Sequence, residues 1–279
     1  MLHASMPACE RGRECRCLTN QVAVITGASR GLGATFARVL ASYGMHVALF
    51  ARSETLLRAL AAEIVETGGN ALVVPGDTTD PRAVTALIEQ TERSLGPIDF
   101  FVANAGVLGP VGPLWECDLE RWWQSMETNF KGPLLACHQV LPRMISRGRG
   151  RMVLVSSHAG HFRWPTVSSY SVSKNAVNKL VENLGRELKS TGVSVFAWHP
   201  GFTTTGLTHE TLNLEGSPES ATGRLRLWTE SNLRGNKALT PEQSAEALFR
   251  IAHGRVDHRS GEYLTVDDVF AYNPQEASG

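Results

Sequence analysis

The chain predicts a single α/β domain, a doubly wound, mostly parallel sheet with helices on both faces. Three observations carry that expectation. From residue 21 onward, short β-branched runs alternate with helical patterns, the rhythm of parallel strand–helix–strand units. The strand-like runs lack polar alternation, as strands buried on both sides do. No repeat or linker divides the 279 residues, and that length is ample for one core.

The elements follow in order. VAVIT (22–26) reads as a buried strand, with a helix from Gly31 to about Tyr43 behind it. HVALFA (46–51) is the next strand, and 53–69 is an amphipathic helix ending at a glycine stop. ALVVP (71–75) is a strand. Asp80 and Pro81 then open a helix to Leu95, with Asp as N-cap and Pro at the first helical position. IDFFVA (98–103), RMVLVS (151–156) and VSVFAW (193–198) are further strands, separated by helices near 118–147 and 168–190. A last helix spans about 241–253 and a last strand about 262–266. The stretch 206–236, rich in Gly, Ser, Thr and Asn, shows no periodicity and reads as a substrate loop or lid. Residues 1–19 read as a flexible tail, leaving 20–279 as the domain.

Composition narrows the function. Lys plus Arg and Asp plus Glu number 27 each, which gives no electrostatic case for nucleic acid or an anionic membrane as partner. The five cysteines (9, 15, 17, 117 and 137) show no paired disulfide framework, so they read as reduced thiols and the chain as cytoplasmic. Cys9, Cys15 and Cys17 fall in the tail, where mobile thiols are a simpler reading than a metal site. No apolar h-region precedes residue 20, and the most apolar stretch is broken by Asp99, Asn104, glycines and prolines. No metal is expected.

The carboxyl ends of the strands are where an open α/β sheet binds ligands. The first such turn is TGASRGLG (26–33). Gly27, Gly31 and Gly33 allow a tight turn and bring a helix N-terminus close to an anion, with Ser29, Arg30 and Leu32 between them. After the second strand the sequence reads LFARS, with Ala51 where an acid would bond a ribose 2′-hydroxyl, followed by Arg52. Arg30 and Arg52 together suit a 2′-phosphate, which favours NADP(H) while leaving NAD(H) possible. In YSVSK, Tyr170 and Lys174 stand at i and i+4, one helical turn apart on one face. An ammonium there would favour the phenolate of a group whose pKa is ordinarily about 10.

With TGASRGLG, NAG (104–106), YSVSK and HPG (199–201) in this order, the chain resembles the short-chain dehydrogenase/reductase family, in its compact Rossmann-fold branch, over about residues 20 to 268. The resemblance implies that Asp77, with Thr78 beside it, meets the adenine edge. Asn104 would steady the sheet beside the cofactor next to Gly106, although the family's commoner Asn-Asn-Ala-Gly is Ala-Asn-Ala-Gly here. Asn129 matches a helix asparagine of the proton relay, and Ser157, rather than Ser156, matches the catalytic serine. Pro200, Gly201, Thr203 and Thr205 fit the turn beside the nicotinamide. Tyr170 would be the general acid, Ser157 would stabilise the carbonyl oxygen, and Lys174 would lower the tyrosine pKa and bond the ribose.

Val107 and Leu108, with His158, Phe162 and Trp164 in HAGHFRWP, would face substrate. Trp122 and Trp123 read as core or subunit interface. The basic run 142–151 precedes the fifth strand and so lies at the sheet edge opposite the site, a weak case for a carrier-protein dock. The expected activity is NADP(H)-dependent interconversion of a ketone or aldehyde and an alcohol. An NAD-linked alcohol dehydrogenase, a dinucleotide-binding protein without turnover, and a lyase or epimerase of the same fold are the alternatives. Family members commonly form homodimers or homotetramers through helices matching 118–147 and 168–190.

Overall fold

The structure is a computed structural model describing residues 18–235 and 238–271. The tail cysteines Cys9, Cys15 and Cys17 lie outside the described residues. Seven strands form one sheet in the order β3-β2-β1-β4-β5-β6-β7, and every pair is parallel. They are β1 (Val22–Thr26), β2 (His46–Ala51), β3 (Asn70–Pro75), β4 (Ile98–Ala103), β5 (Gly150–Val155), β6 (Val193–His199) and β7 (Tyr263–Thr265). The order reverses between β1 and β4, which opens a crevice at the carboxyl ends of those two strands.

Side chains alternate between two cores, as the two-residue period of a strand requires. Ile25, Leu49, Val102, Val153, Phe196 and Trp198 face one way. They pack beneath α1 (Gly31–Ser42), α2 (Glu54–Glu66) and α9 (Pro241–Ala252). Val24, Phe50, Phe101, Leu154 and Ala197 face the other. They meet α3 (Pro81–Ser94), α5 (Gly132–Arg147) and α6 (Ser168–Glu187). The expected cap on α3 is present: the Asp80 carboxylate accepts from the Arg82 N–H at 2.9 Å, with Pro81 at the first position.

Four expectations are corrected. The helix expected over 118–147 is α4 (Leu119–Met126), a π-helical turn (Glu127–Lys131) and α5. The stretch 206–236 is not an irregular loop, since it contains α7 (Leu207–Leu212) and α8 (Ala221–Arg234). Its buried stripe includes Thr208, Thr211 and Thr229, whose hydroxyls are bonded to the segment itself or to Thr203 just before it, so no hydropathy period marks it. The last strand is shorter than expected and runs directly into α10 (Val266–Ala271), a helix with no counterpart among the expected elements. Helix α6 also stops at Glu187, and Ser190 beyond it has φ 69°, a left-handed turn that ends the helical run.

The basic run is neutralised on the edge opposite the crevice. Arg143 and Arg147 meet Glu92, Arg149 meets Asp99, and Arg151 meets Asp257. Among the described residues, no helix is long and apolar enough to cross a membrane.

Candidate active site

A cleft of about 880 Å³ opens at the crevice, within the roughly 300–1,000 Å³ common for ligand sites. Gly27, Gly31 and Gly33 form its floor. Gly27 has φ +66° and Gly31 +58°, a left-handed backbone that favours glycine. A Cβ on Gly33 would run into the Gly27 carbonyl oxygen and the Asn104 side chain, so α1 starts tight against β1 and β4. The N-terminus of α1, with no acidic residue in its first turn, points its free N–H groups at this floor. The Asn104 amide donates to the Thr26 carbonyl at 2.9 Å, tying the ends of β4 and β1 together. This cradle fits a dinucleotide pyrophosphate: its backbone can approach an anion closely and a side chain in the turn would block it.

The rest of the expected cofactor set lines the same cleft: Ser29, Leu32, Arg52, Asp77, Thr78, Gly106, Pro200, Gly201, Thr203 and Thr205. Asp77 does more than face it, because its carboxylate accepts from both the N–H and the hydroxyl of Thr79, at 2.8 and 2.9 Å. Arg52 is exposed and has no ion-pair partner among the described residues. Arg30 differs from expectation. It donates to the Glu210 carboxylate on α7 at 2.9 Å, an ion pair that crosses the cleft mouth.

At the other end, Tyr170, Lys174 and Ser157 converge. The one-turn spacing on α6 sets Lys174 Nζ 5.7 Å from the centre of the Tyr170 ring, and Nζ donates to the Val155 carbonyl at 2.7 Å. Ser157, two residues beyond β5, lines the cleft with Tyr170, and its Oγ accepts from the Ala159 N–H at 3.2 Å. Its neighbour Ser156 points away and donates to Asn178 Oδ1 at 2.6 Å, a packing role. Burial dominates the protonation of this group. It pushes the Tyr170 hydroxyl up, opposed only by the Ser157 hydroxyl, and holds Lys174 down to about 8. Burial thus outweighs any lowering of the tyrosine by Lys174, and the net direction is opposite to the one expected.

Asn129 is fully buried in the π-helical turn. Its carbonyl accepts from the Val107 N–H at 2.8 Å, and its amide donates to the Val107 carbonyl at 2.9 Å and the Ser173 hydroxyl at 3.0 Å. It thereby clamps the strand end after Gly106 to α6, one residue from Lys174. His158 lies with its ring centre 4.1 Å from that of His199, and its Nδ1 is 3.2 Å from the Tyr263 hydroxyl. Burial, and the closeness of His158, hold His199 down to about 3.

Val107, His158, Phe162 and Trp164 all line the cleft, as expected of substrate-facing residues. The sequence reading missed Trp228, Phe202 and Glu210, which line it too. The first two sit in or just before a segment without periodicity, and the signal that marked them was only their aromatic character. Trp122 bonds Ser168 through its indole N–H at 2.9 Å, whereas Trp123 is 59% exposed.

Residues 21–215 match the short chain dehydrogenase family, and the chain belongs to it. It is 38% identical over 202 residues to a short chain dehydrogenase of Pseudocercospora fijiensis, covering 72% of this chain and 65% of that one. It is 36% identical over 221 residues to a 3-oxoacyl-[acyl-carrier-protein] reductase of Synechocystis, covering 75% of this chain and 89% of that one. Among solved structures it superposes on an actinorhodin polyketide ketoreductase with NADPH, with TM-score 0.79 and 29% identity over 88% of this chain and 95% of that one. It is an oxidoreductase of this family, with a Rossmann fold.

Proposed function

We propose that the protein reduces a ketone or aldehyde to an alcohol, or the reverse, with NADP(H) as the preferred cofactor and Tyr170 as general acid and base. The observation that carries this reading is the convergence of Tyr170, Ser157 and Lys174 at one end of a cleft whose other end is a glycine cradle. A nicotinamide dinucleotide, when bound, supplies or accepts the hydride. Gly27, Ser29, Gly31, Leu32 and Gly33 would hold its pyrophosphate, Asp77 and Thr78 its adenine end, and Gly106, Pro200, Gly201, Thr203 and Thr205 the rest. Arg52, exposed and uncommitted, is the group for a 2′-phosphate.

The residues divide the proton chemistry. In the reducing direction Tyr170 Oη gives its proton to the carbonyl oxygen, and its raised pKa keeps it loaded at neutral pH. Ser157 Oγ hydrogen-bonds the same oxygen and carries part of its developing charge. Lys174 stabilises the phenolate left behind. Its ammonium has a pKa near 8, so it is charged at neutral pH and close enough to titration to exchange its proton. Asn129 holds Val107 and Ser173 in place and fixes the distance between the cofactor-side strand end and α6.

The test is NADPH oxidation by the purified protein over a panel of ketones, with Tyr170→Phe and Arg52→Ala alongside. Tyr170→Phe should cut turnover at least about 10²-fold. Arg52→Ala should weaken NADPH binding about tenfold and NADH binding hardly at all. Equal effects on the two cofactors would sink the 2′-phosphate reading.

A further inference from the structure

A file of rings leads away from the Tyr170 hydroxyl. Trp164 meets Tyr170 edge-on, centres 6.3 Å apart. Trp228 lies 5.1 Å from Trp164 at a tilt, and Phe202 meets Trp228 edge-on at 5.8 Å. These rings come from three separate stretches: the loop before α6, helix α8 and the turn after β6. Helix α8 buries Leu225 and Thr229 yet leaves Trp228 45% exposed on the cleft wall. Exposed aromatics gathered at a cleft, rather than scattered singly, mark a ligand surface.

The threonine protons of that wall are already committed. Thr208 donates to the Thr203 carbonyl at 2.6 Å and Thr211 to the Thr208 carbonyl at 2.8 Å. Thr229 is satisfied by Thr211 Oγ1 and the Leu225 carbonyl. A hydroxyl has one proton to give, so these threonines have none left for a ligand. Leu108 adds an apolar side chain to the wall, backed by Val167 and Leu225, which are buried in one cluster with it and Tyr170.

We propose that the substrate is a ketone, or its alcohol, set on a flat apolar ring system, and that Trp164 and Trp228 hold that ring while Tyr170 meets the oxygen. The inference rests on the oxidoreductase reading and names the substrate class of the same site. A linear acyl chain would gain burial there but not the edge-to-face and offset geometry that aromatic rings reward. A polyhydroxylated substrate would meet threonine oxygens that can accept but not donate, and would bury its remaining hydroxyls against rings. Delivery by an acidic carrier protein is disfavoured as well, since the arginines of the basic run already face Glu92, Asp99 and Asp257.

The experiment compares two ten-carbon ketones, bicyclic 1-tetralone and linear 2-decanone. Their binding is measured by calorimetry on the NADP⁺-loaded protein, where no reduction occurs, and their turnover is measured with NADPH. The wild type should bind 1-tetralone at least tenfold tighter. Trp164→Leu and Trp228→Leu should each cut that ring-to-chain ratio at least fivefold, with thermal midpoints and NADPH binding reported for both to exclude misfolding. A ratio near one in the wild type, a ratio untouched by both variants, or no binding of either ketone would overturn the proposal. Ring-selective binding without reduction of either ketone would leave the ring site standing and sink the reductase reading. Reduction of both without preference would do the opposite.

Discussion

Tyr170 and Lys174 are within reach of each other because α6 carries them one turn apart, but their protonation is set by depth. Lys174 is 3% exposed, and burial holds it near 8 against an ordinary 10.5. Between those values the unfolded chain carries a proton that the folded chain lacks, so stability rises with pH across that window. A shift of this size corresponds to roughly 3 kcal/mol at about 1.36 per unit. Lys174→Met should flatten this contribution: from pH 8 to 10 the thermal midpoint of the wild type should gain on that of the variant. A constant gap between the two would contradict the assignment. At this scale the residue types were legible in the sequence, since the Tyr-Lys spacing, the serine after β5 and Asn129 all stand where the structure brings them together. The direction of the Tyr170 shift was not, because it depends on burial by residues distant in sequence. Nor was the Glu210 partner of Arg30, 180 residues away.

Elements with a hydropathy period were readable and those without were not. Strands β1, β2 and β4 match the expected runs residue for residue, since each is a short apolar run buried on both faces. Helices α7 and α8 were hidden because much of the stripe they bury is threonine, which counts as polar until its hydroxyl is seen bonded. The π-helical turn was equally invisible, as one extra residue in a turn leaves the flanking pattern intact. That turn carries Asn129, whose side chain makes three hydrogen bonds in a dry setting. Asn129→Ala would strand the Val107 N–H and carbonyl as well as losing the bonds, at about 1–3 kcal/mol for each buried group left unpaired. Stability should fall by roughly 2–6 kcal/mol in total, lowering the urea midpoint, and KM for the ketone should rise as Val107 drifts. An unchanged midpoint would mean that water replaces the side chain.

Across the whole molecule, one face of the helical layer is unusually apolar. Leu114, Trp115, Leu119 and Trp123 are 56%, 85%, 71% and 59% exposed, all within or just before α4. A second copy of the chain is the occupant the family resemblance leads us to expect, and closed symmetric pairing would bury such a face on both subunits. Light scattering should give a dimer or tetramer for the wild type and a smaller particle for Trp123→Glu; a monomeric wild type would overturn the expectation. The strand alternation and the glycine turn made the doubly wound class legible from the sequence, while the strand order awaited the sheet itself. Pairing of Arg30 with Glu210 bears on how the cleft responds to its surroundings. An arginine waiting in water draws a phosphate through a field that salt screens, so its affinity falls as ionic strength rises. Arg30 instead already holds a carboxylate, so taking a 2′-phosphate would exchange one anion for another at a single guanidinium. Arg52, exposed to water, should carry the salt-sensitive part of NADPH affinity, and Glu210→Gln, by freeing Arg30 as a second guanidinium, should tighten binding at low salt and make its fall with ionic strength steeper.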